Sequence, residues 1–246
     1  MRAARAWTSA FGDPTRTVRA LRNLPLFIRD YVRYRRQPEA ESLAWRDLMP
    51  SLQERTGTHD LDSHYFYANA WAARRIAASG ATRHVDVGSQ ALLSSVLSAT
   101  VPVVFIDYRP LVARLEGLVT VAGDLVHLPV REGSVPSLSC LHVAEHIGLG
   151  RYGDPIDARG TRRAMDELAR VLAPGGNLFF AVPVGRERVA FNAHRIHAAR
   201  TILEGFSSLT LREFSGVDDA GHYAERVGLD QFAAAEYACG LFWFTK

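Results

Sequence analysis

The stretch RHVDVGSQALLSSV, residues 83–96, decides how the rest of the chain is read. Val85 and Val87 flank Asp86, Gly88 ends the apolar run, and QALLSSVLSA follows at helical spacing. These residues predict a strand that meets a helix through a turn with one glycine. Leu92, Leu93, Val96 and Leu97 are expected on the buried face of that helix, with Ser94, Ser95 and Ser98 outside.

Downstream, the same alternation repeats. VPVVFID (101–107) is a continuous apolar run of the kind buried on both faces of a parallel sheet. PLVARLEGL opens with Pro110, a residue suited to a first helical turn, and predicts a helix. Strands are predicted at VTVAGD (119–124), SVPSLSCLHV (134–143) and NLFFAVPV (177–184), then at LTLREFS (209–215) and CGLFWFT (239–245). TRRAMDELARVL (161–172) is the clearest helix, with Thr161 as its expected cap and Pro174-Gly175-Gly176 as its stop. ARTILEGF (199–206) predicts another. Alternating strands and helices define an α/β doubly wound, Rossmann-like sheet of seven strands, parallel in its core and antiparallel at its last strand.

With 246 residues, 48% hydrophobic and 22% charged, the chain is long enough for one full core with a decorated end. The expected division is a helical N-terminal extension, 1–80, packing on the core, followed by the α/β domain, 81–246. Pro14, Pro25, Pro38 and Pro50 punctuate the extension. No run approaches the roughly 18 apolar residues of a membrane span. MRAARAWTSAFGD lacks the continuous apolar segment of a secretory leader, and Cys140 and Cys239 form neither a disulfide framework nor a metal-type pair. The cytoplasm is the expected location. Arginines 16, 19, 22, 29, 33, 35 and 36 lie among Leu21, Leu24, Leu26, Phe27, Tyr31 and Val32. That pattern has two readings: a solvated helix packed by its apolar side, or a basic amphipathic helix in peripheral contact with the inner face of a membrane. A net charge of +3 with no aromatic-interleaved basic patch and no N-P-P-Y-type tetrapeptide argues against a nucleic-acid partner.

In doubly wound sheets, ligands bind outside the carboxyl ends of the strands. Those ends carry Asp86, Gly88 and Ser89; then Asp107, about twenty residues on, where an acid reaches a ribose hydroxyl pair; then Asp124 and Leu125; then His142, Glu145 and His146. A pyrophosphate requires the G-x-G-x-x-G pattern for close backbone approach. Its absence argues against an NAD-dependent oxidoreductase, and one glycine suffices for a cofactor without phosphate. Ordinary structural roles compete with each reading: Asp107 as a helix cap at Pro110, and Asp124 as a turn residue.

Taken in order, acid-x-Gly, the acid after strand two, GDLVHLP, HVAEHI and LAPGGNLFFAVP resemble the class I S-adenosylmethionine-dependent methyltransferases over about residues 83–246. A closer resemblance is to the DUF268 subgroup, in HYFYANAWAARRI, HVDVGS, LHVAEHIGLGRYGDPID, PGGNLFFAVPVGRERVAFNAHRI and REFSGVDD. The resemblance implies S-adenosyl-L-methionine as cofactor, with Asp86, Gly88 and Ser89 at its methionine end, Asp107 at the ribose, and Asp124 and Leu125 at the adenine. It also implies a link to surface-glycan assembly, hence a sugar or glycan-linked small acceptor. The alternative is a catalytically silent binding or scaffold protein in the same assembly.

For transfer to a hydroxyl, histidine is the base best matched to neutral pH. His146 is the expected base, with Glu145 orienting it or gripping the acceptor. His142 and His194, the latter at the same sheet edge, are further catalytic candidates, and His142 is also expected to line the cofactor. GLGRYGDPID (148–157) is expected to form a substrate-facing lid, with Arg151, Tyr152 and Arg195, or Arg186, as acceptor ligands. Asp154, Asp157, Asp218, Asp219 and His222 are acids and a histidine of the metal-ligating kind, but no spacing among them compels an ion, and no metal is expected.

Overall fold

A computed structural model describes residues 13–57, 59, 61–109 and 111–246. Pro110 and residues 1–12 lie outside the described residues. The chain divides into two compact units, Met1–Leu61 and Asp62–Lys246.

The first unit is built on helix α1, Pro14–Arg35. Pro14 occupies its first turn, where a missing N–H costs nothing, and Asp13 caps it by accepting the Thr15 N–H at 2.9 Å. Pro25 sits inside the helix without ending it. The buried Asn23 donates to the Leu52 carbonyl, and Asp30 pairs with Arg29 and Arg55. Among the described residues, no helix is long and apolar enough to cross a membrane.

The second unit begins with α2, Ser63–Ala78, so this helix belongs with the sheet. The strands β1, His84–Val87, β2, Val103–Asp107, and β3, Leu118–Ala122, come next, with α3, Ala91–Leu97, between the first two. β4, Val135–Leu141, is followed by α4, Gly160–Val171, and β5, Leu172–Val184. A small hairpin of β6, Arg188–Ala190, and β7, His194–Ile196, precedes α5, Ala199–Gly205. β8, Thr210–Val217, β9, Tyr223–Ala224, and β10, Ala238–Thr245, complete the chain.

The main sheet runs β3-β2-β1-β4-β5-β10-β8-β9. β3 through β5 pair in parallel, and β10 inserts antiparallel between β5 and β8. The seven expected strands are present, and the two-residue β9 adds an edge. Strand order reverses between β1 and β4, which creates the crevice at their carboxyl ends. Successive side chains of β5 pack on opposite faces. Phe180 and Val182 join Leu168, Ile202, Phe206 and Phe242, while Phe179 and Ala181 join Trp71, Ile76, Leu93 and Leu241. A strand with apolar layers on both sides must be apolar at every position, which is why its sequence does not alternate.

Three local expectations are corrected. Residues 111–114 are not helical, and Leu115 bridges to Leu118. Because Leu118 pairs beside Val103, the chain between Asp107 and Leu118 connects the end of β2 to the start of β3 beside the beginning of β2. Ten residues of helix span only about 15 Å and would leave none for the turns, so residues 111–114 and the turn at 116–117 carry no helix. In α3, Ser94 is buried together with Leu93 and Leu97, whereas Leu92 and Val96 are exposed. Ser94 turns inward because it donates to the buried Asp86. Thr161 likewise does not cap α4: its hydroxyl donates to the Ala144 carbonyl at 2.8 Å.

Candidate functional site

Gly88 leaves β1 with φ of +66°, a conformation that favours glycine. Its N–H donates to the Ile106 carbonyl at 2.8 Å, and a Cβ there would stand 3.0 Å from the Val143 side chain and 3.7 Å from Asp107 Oδ2. Beyond this turn lies a cavity of about 230 Å³ over the ends of β1, β2, β3 and β4. Gly88, Asp107, Tyr108, Arg109, Asp124, Leu125 and His142 line it. Asp107 Oδ1 accepts the Arg109 N–H at 2.7 Å, which leaves Oδ2 on the Gly88 side of the cleft. With no helix after it among the described residues, the capping role considered for Asp107 disappears. Asp124 does act as a turn residue, accepting the Val126 N–H, while still lining the cleft.

Asp86 and Ser89 do not reach this cleft. Asp86 is fully buried and accepts hydroxyls from Ser89, Ser94 and Ser139; Ser89 in turn accepts the Leu141 N–H. They tie β1, β4 and α3 together beneath the Gly88 turn. Burial pushes the Asp86 carboxyl above its usual range, against three hydroxyl donors. Ser139 also bonds His84 Nε2 at 2.9 Å, and Ser137 bonds its Nδ1 at 2.8 Å.

Burial lowers the His84 pKa to about 3. An unfolded histidine titrates near about 6.5, so below that pH the unfolded chain takes a proton that the folded chain refuses. Stability is therefore expected to fall as pH drops from about 6.5 toward 3, by up to about 1.4 kcal/mol per pH unit for this group. The raised Asp86 acts with the opposite sign, adding stability as pH falls through its own titration. Urea unfolding between about pH 7 and pH 5 measures the slope. His84→Gln, which keeps two hydrogen-bonding ends, is expected to flatten it; an unchanged slope would remove His84 as the source.

On the far side of β4, a second cleft of about 310 Å³ is lined by Asp62, His64, Tyr65, His142, Glu145, His146, Arg151, His194 and Tyr237. Asp62 caps α2 and so places His64 and Tyr65 in its first turn. Asp219 accepts the N–H groups of Glu236 and Tyr237 and fixes the segment that carries Tyr237. His142 has φ of +57°, strain of order 1–3 kcal/mol that is held by its surroundings. Its Nδ1 lies 3.1 Å from Glu145 Oε1 and its Nε2 3.2 Å from Cys239 Sγ. Burial opposes a proton on His142, but Cys239 and Glu145 outweigh it and carry its pKa up to about 10. Burial also works against the Glu145 charge, yet His142 and His146 hold the carboxyl below its usual range.

His146 Nδ1 lies 2.6 Å from the Ala193 carbonyl. An oxygen acceptor requires the proton on Nδ1, which leaves the Nε2 lone pair free, 3.7 Å from Glu145 Oε1. Burial lowers the His146 pKa, so the ring is neutral at neutral pH. His142 and His146 line both clefts and form their common wall. His194 reaches the second cleft beside Tyr237, with ring centroids 4.7 Å apart.

The loop after β4 is tied at its base. Gly148, at φ of +79°, lies so close to Asp157 that a Cβ would stand 2.1 Å from its carbonyl oxygen. Asp154 accepts the N–H groups of Gly148 and Tyr152. Arg195 is buried and donates to the carbonyls of Ile147 and Asp157 and to Thr161 Oγ1. It therefore clasps the loop and does not face an acceptor. Arg151 donates to the Ala193 carbonyl beside the second cleft, and Arg186 pairs with Glu236. Tyr152 lines the first cleft under the Arg109 guanidinium, 4.4 Å from its ring centroid. The acids considered for a metal have other partners: Asp157 accepts the Arg159 N–H and pairs with Arg163, and Asp218 accepts the N–H groups of Ala220 and His222.

Sequence reasoning passed over His64, Tyr65, Tyr237 and Cys239 as site residues. His64 and Tyr65 opened the stretch HYFYANAWAARRI, so a signal was present. Tyr237 had none, because the second cleft assembles from opposite ends of the unit, and Cys239 had none, because it meets His142 behind that cleft only across 97 residues.

The architecture is the Rossmann-like fold of the class I S-adenosylmethionine-dependent methyltransferases, with its parallel core, antiparallel edge and flanking helices. Within it, residues 135–222 match the family described as "Caenorhabditis protein of unknown function, DUF268". The N-methyltransferase NodS from Bradyrhizobium japonicum WM9, in complex with S-adenosyl-L-homocysteine, is 18% identical with a TM-score of 0.52, covering 88% of this chain and 96% of NodS. The YcgJ protein of Bacillus subtilis is 12% identical with a TM-score of 0.52, covering 74% of this chain and 98% of that one. The [4+2]-cyclase SpnF is 16% identical with a TM-score of 0.50, over 72% of this chain and 80% of its own. No curated protein matches the chain by sequence.

Proposed function

We propose that the protein is an S-adenosylmethionine-dependent methyltransferase that methylates a hydroxyl of a sugar or glycan-linked acceptor. The observation that carries this reading is the common wall: His142 and His146 separate a cleft over Gly88 and Asp107 from a second cleft of aromatic and hydrogen-bonding groups. The first cleft suits the cofactor. The Gly88 turn keeps open the space that a Cβ would fill, Asp107 offers a carboxylate oxygen to a ribose, and Leu125 and Val126 give an apolar bed with Asp124 at its edge. When bound, the cofactor supplies a methyl group on a sulfonium that needs no further activation.

The chain's own task is to hold and deprotonate the acceptor. Tyr65 offers aromatic surface to the carbon side of a sugar, Tyr237 is stacked on His64 and packed against His194 at the wall, and Asp62 and Arg151 offer hydrogen bonds to the sugar's hydroxyls. His146 Nε2 accepts the hydroxyl proton, and Glu145, 3.7 Å away, stabilises the imidazolium that results.

Titration calorimetry with S-adenosylmethionine tests the cofactor half. Saturable binding is expected, and Asp107→Ala is expected to weaken it by about tenfold to hundredfold, the worth of a hydrogen bond to a charged group. Unchanged affinity in the variant would withdraw the ribose assignment. Absence of both heat and thermal stabilisation at millimolar cofactor would overturn the enzyme reading in favour of a silent binding protein.

A further inference from the structure

We propose that His64, His142 and Cys239 bind one divalent cation of the zinc class, with Glu145 orienting His142 from behind. The three side chains come from the first turn of α2, the end of β4 and the second residue of β10, and their ligating atoms all lie within 4.8 Å of one another. A tetrahedral zinc with ordinary bond lengths sets a sulfur-to-nitrogen separation of about 3.6 Å and a nitrogen-to-nitrogen separation of about 3.3 Å. The Cys239 Sγ to His142 Nε2 distance is 3.2 Å, so small side-chain rotations complete the set. Glu145 Oε1 sits 3.1 Å from His142 Nδ1, the carboxylate–histidine arrangement that fixes the tautomer of a metal-binding ring. Glu145 Oε2 is buried with no hydrogen-bond partner among the described residues, so the carboxylate that orients His142 keeps one oxygen uncommitted.

Two imidazoles and a thiolate favour zinc, or cobalt as its spectroscopic substitute, over magnesium or calcium, which prefer oxygen ligands. The same residues also have the order of a cysteine nucleophile, its histidine and an orienting carboxylate. Burial decides between the two. Cys239 is fully buried and lines neither cleft, so no acceptor can meet it, whereas a bare ion can. A nucleophile would also leave His64 without a purpose. Because His64 and His142 both line the second cleft, the fourth coordination position opens there and takes an oxygen donor of the acceptor, a hydroxyl or carboxylate. The site stands whether or not the protein transfers methyl groups.

The test uses the full chain stripped with chelator, then titrated with zinc by competition and with cobalt by absorption. One ion per chain is expected, and cobalt should give a near-ultraviolet thiolate-to-metal charge-transfer band. Cys239→Ser should abolish that band, and His64→Ala, a change at a partly exposed helix start, should weaken zinc binding. Glu145→Gln should weaken it by about 10–100-fold. Cys140→Ser should leave both signals intact, since Cys140 lies outside the cluster. Substoichiometric zinc with no band in the unaltered protein, or a band that survives Cys239→Ser, overturns the assignment. Calorimetry with S-adenosylmethionine on the same samples reports the cofactor reading separately.

Discussion

Replacing His146 with alanine is expected to slow methyl transfer by about 10²–10⁴-fold, the usual worth of a general base, while S-adenosylmethionine affinity stays nearly constant. The expectation follows from its hydrogen bonding. Ala193 claims the Nδ1 proton, so Nε2 is the only nitrogen of this ring able to accept one, and burial keeps the ring neutral at neutral pH. The measurement is transfer of an isotopically labelled methyl group to a panel of sugar and glycan acceptors, with calorimetry on the same variant. His146→Gln can still donate toward Ala193 but offers no base, and it should be as slow as the alanine variant. Because the His146 pKa lies below the usual histidine value, activity should hold through neutral pH and decline only in acid. A variant as fast as the parent would remove His146 from the mechanism.

Replacing Glu213 with alanine is expected to destabilise the fold by about 3 kcal/mol, because it strands a cation under the sheet. Glu213 lies on β8 with its side chain only 5% exposed, and it accepts from Trp71 Nε1, from Arg75 Nε and from Ser215 Oγ. Burial works against its charge, yet these partners hold the carboxyl below its usual range. Without it, the Arg75 guanidinium, 12% exposed, keeps Glu225 but loses its inner partner, and the indole N–H of the buried Trp71 has no acceptor. The loss should appear as a lower urea midpoint with an unchanged slope. Glu213→Gln, which retains an acceptor for Trp71, should recover part of it. A midpoint unmoved in both variants would mean that α2 is held to the sheet by apolar packing alone.

The alternation of strands and helices, the Gly88 turn and the placement of Asp107, Asp124 and His146 at strand ends were legible in the chain itself. Each depends on residues adjacent in sequence: apolar periodicity sets the elements, glycine permits the turn, and chain direction carries strand ends to one edge. The second cleft was not legible, since Asp62, His64 and Tyr65 meet His142, His194 and Tyr237 only once distant segments pack. Nor could local reasoning tell which way a polar side chain turns. Asp86 and Arg195 have the types and positions expected of ligand-binding groups, yet Asp86 gathers three serine hydroxyls beneath the turn and Arg195 clasps the loop after β4. The sequence by itself determined the sheet and the edge at which the clefts open, because those are consequences of local pattern. Only the tertiary structure decided which acids, arginines and histidines face the clefts. That choice rests on burial and on hydrogen-bond partners that come together only when distant segments pack.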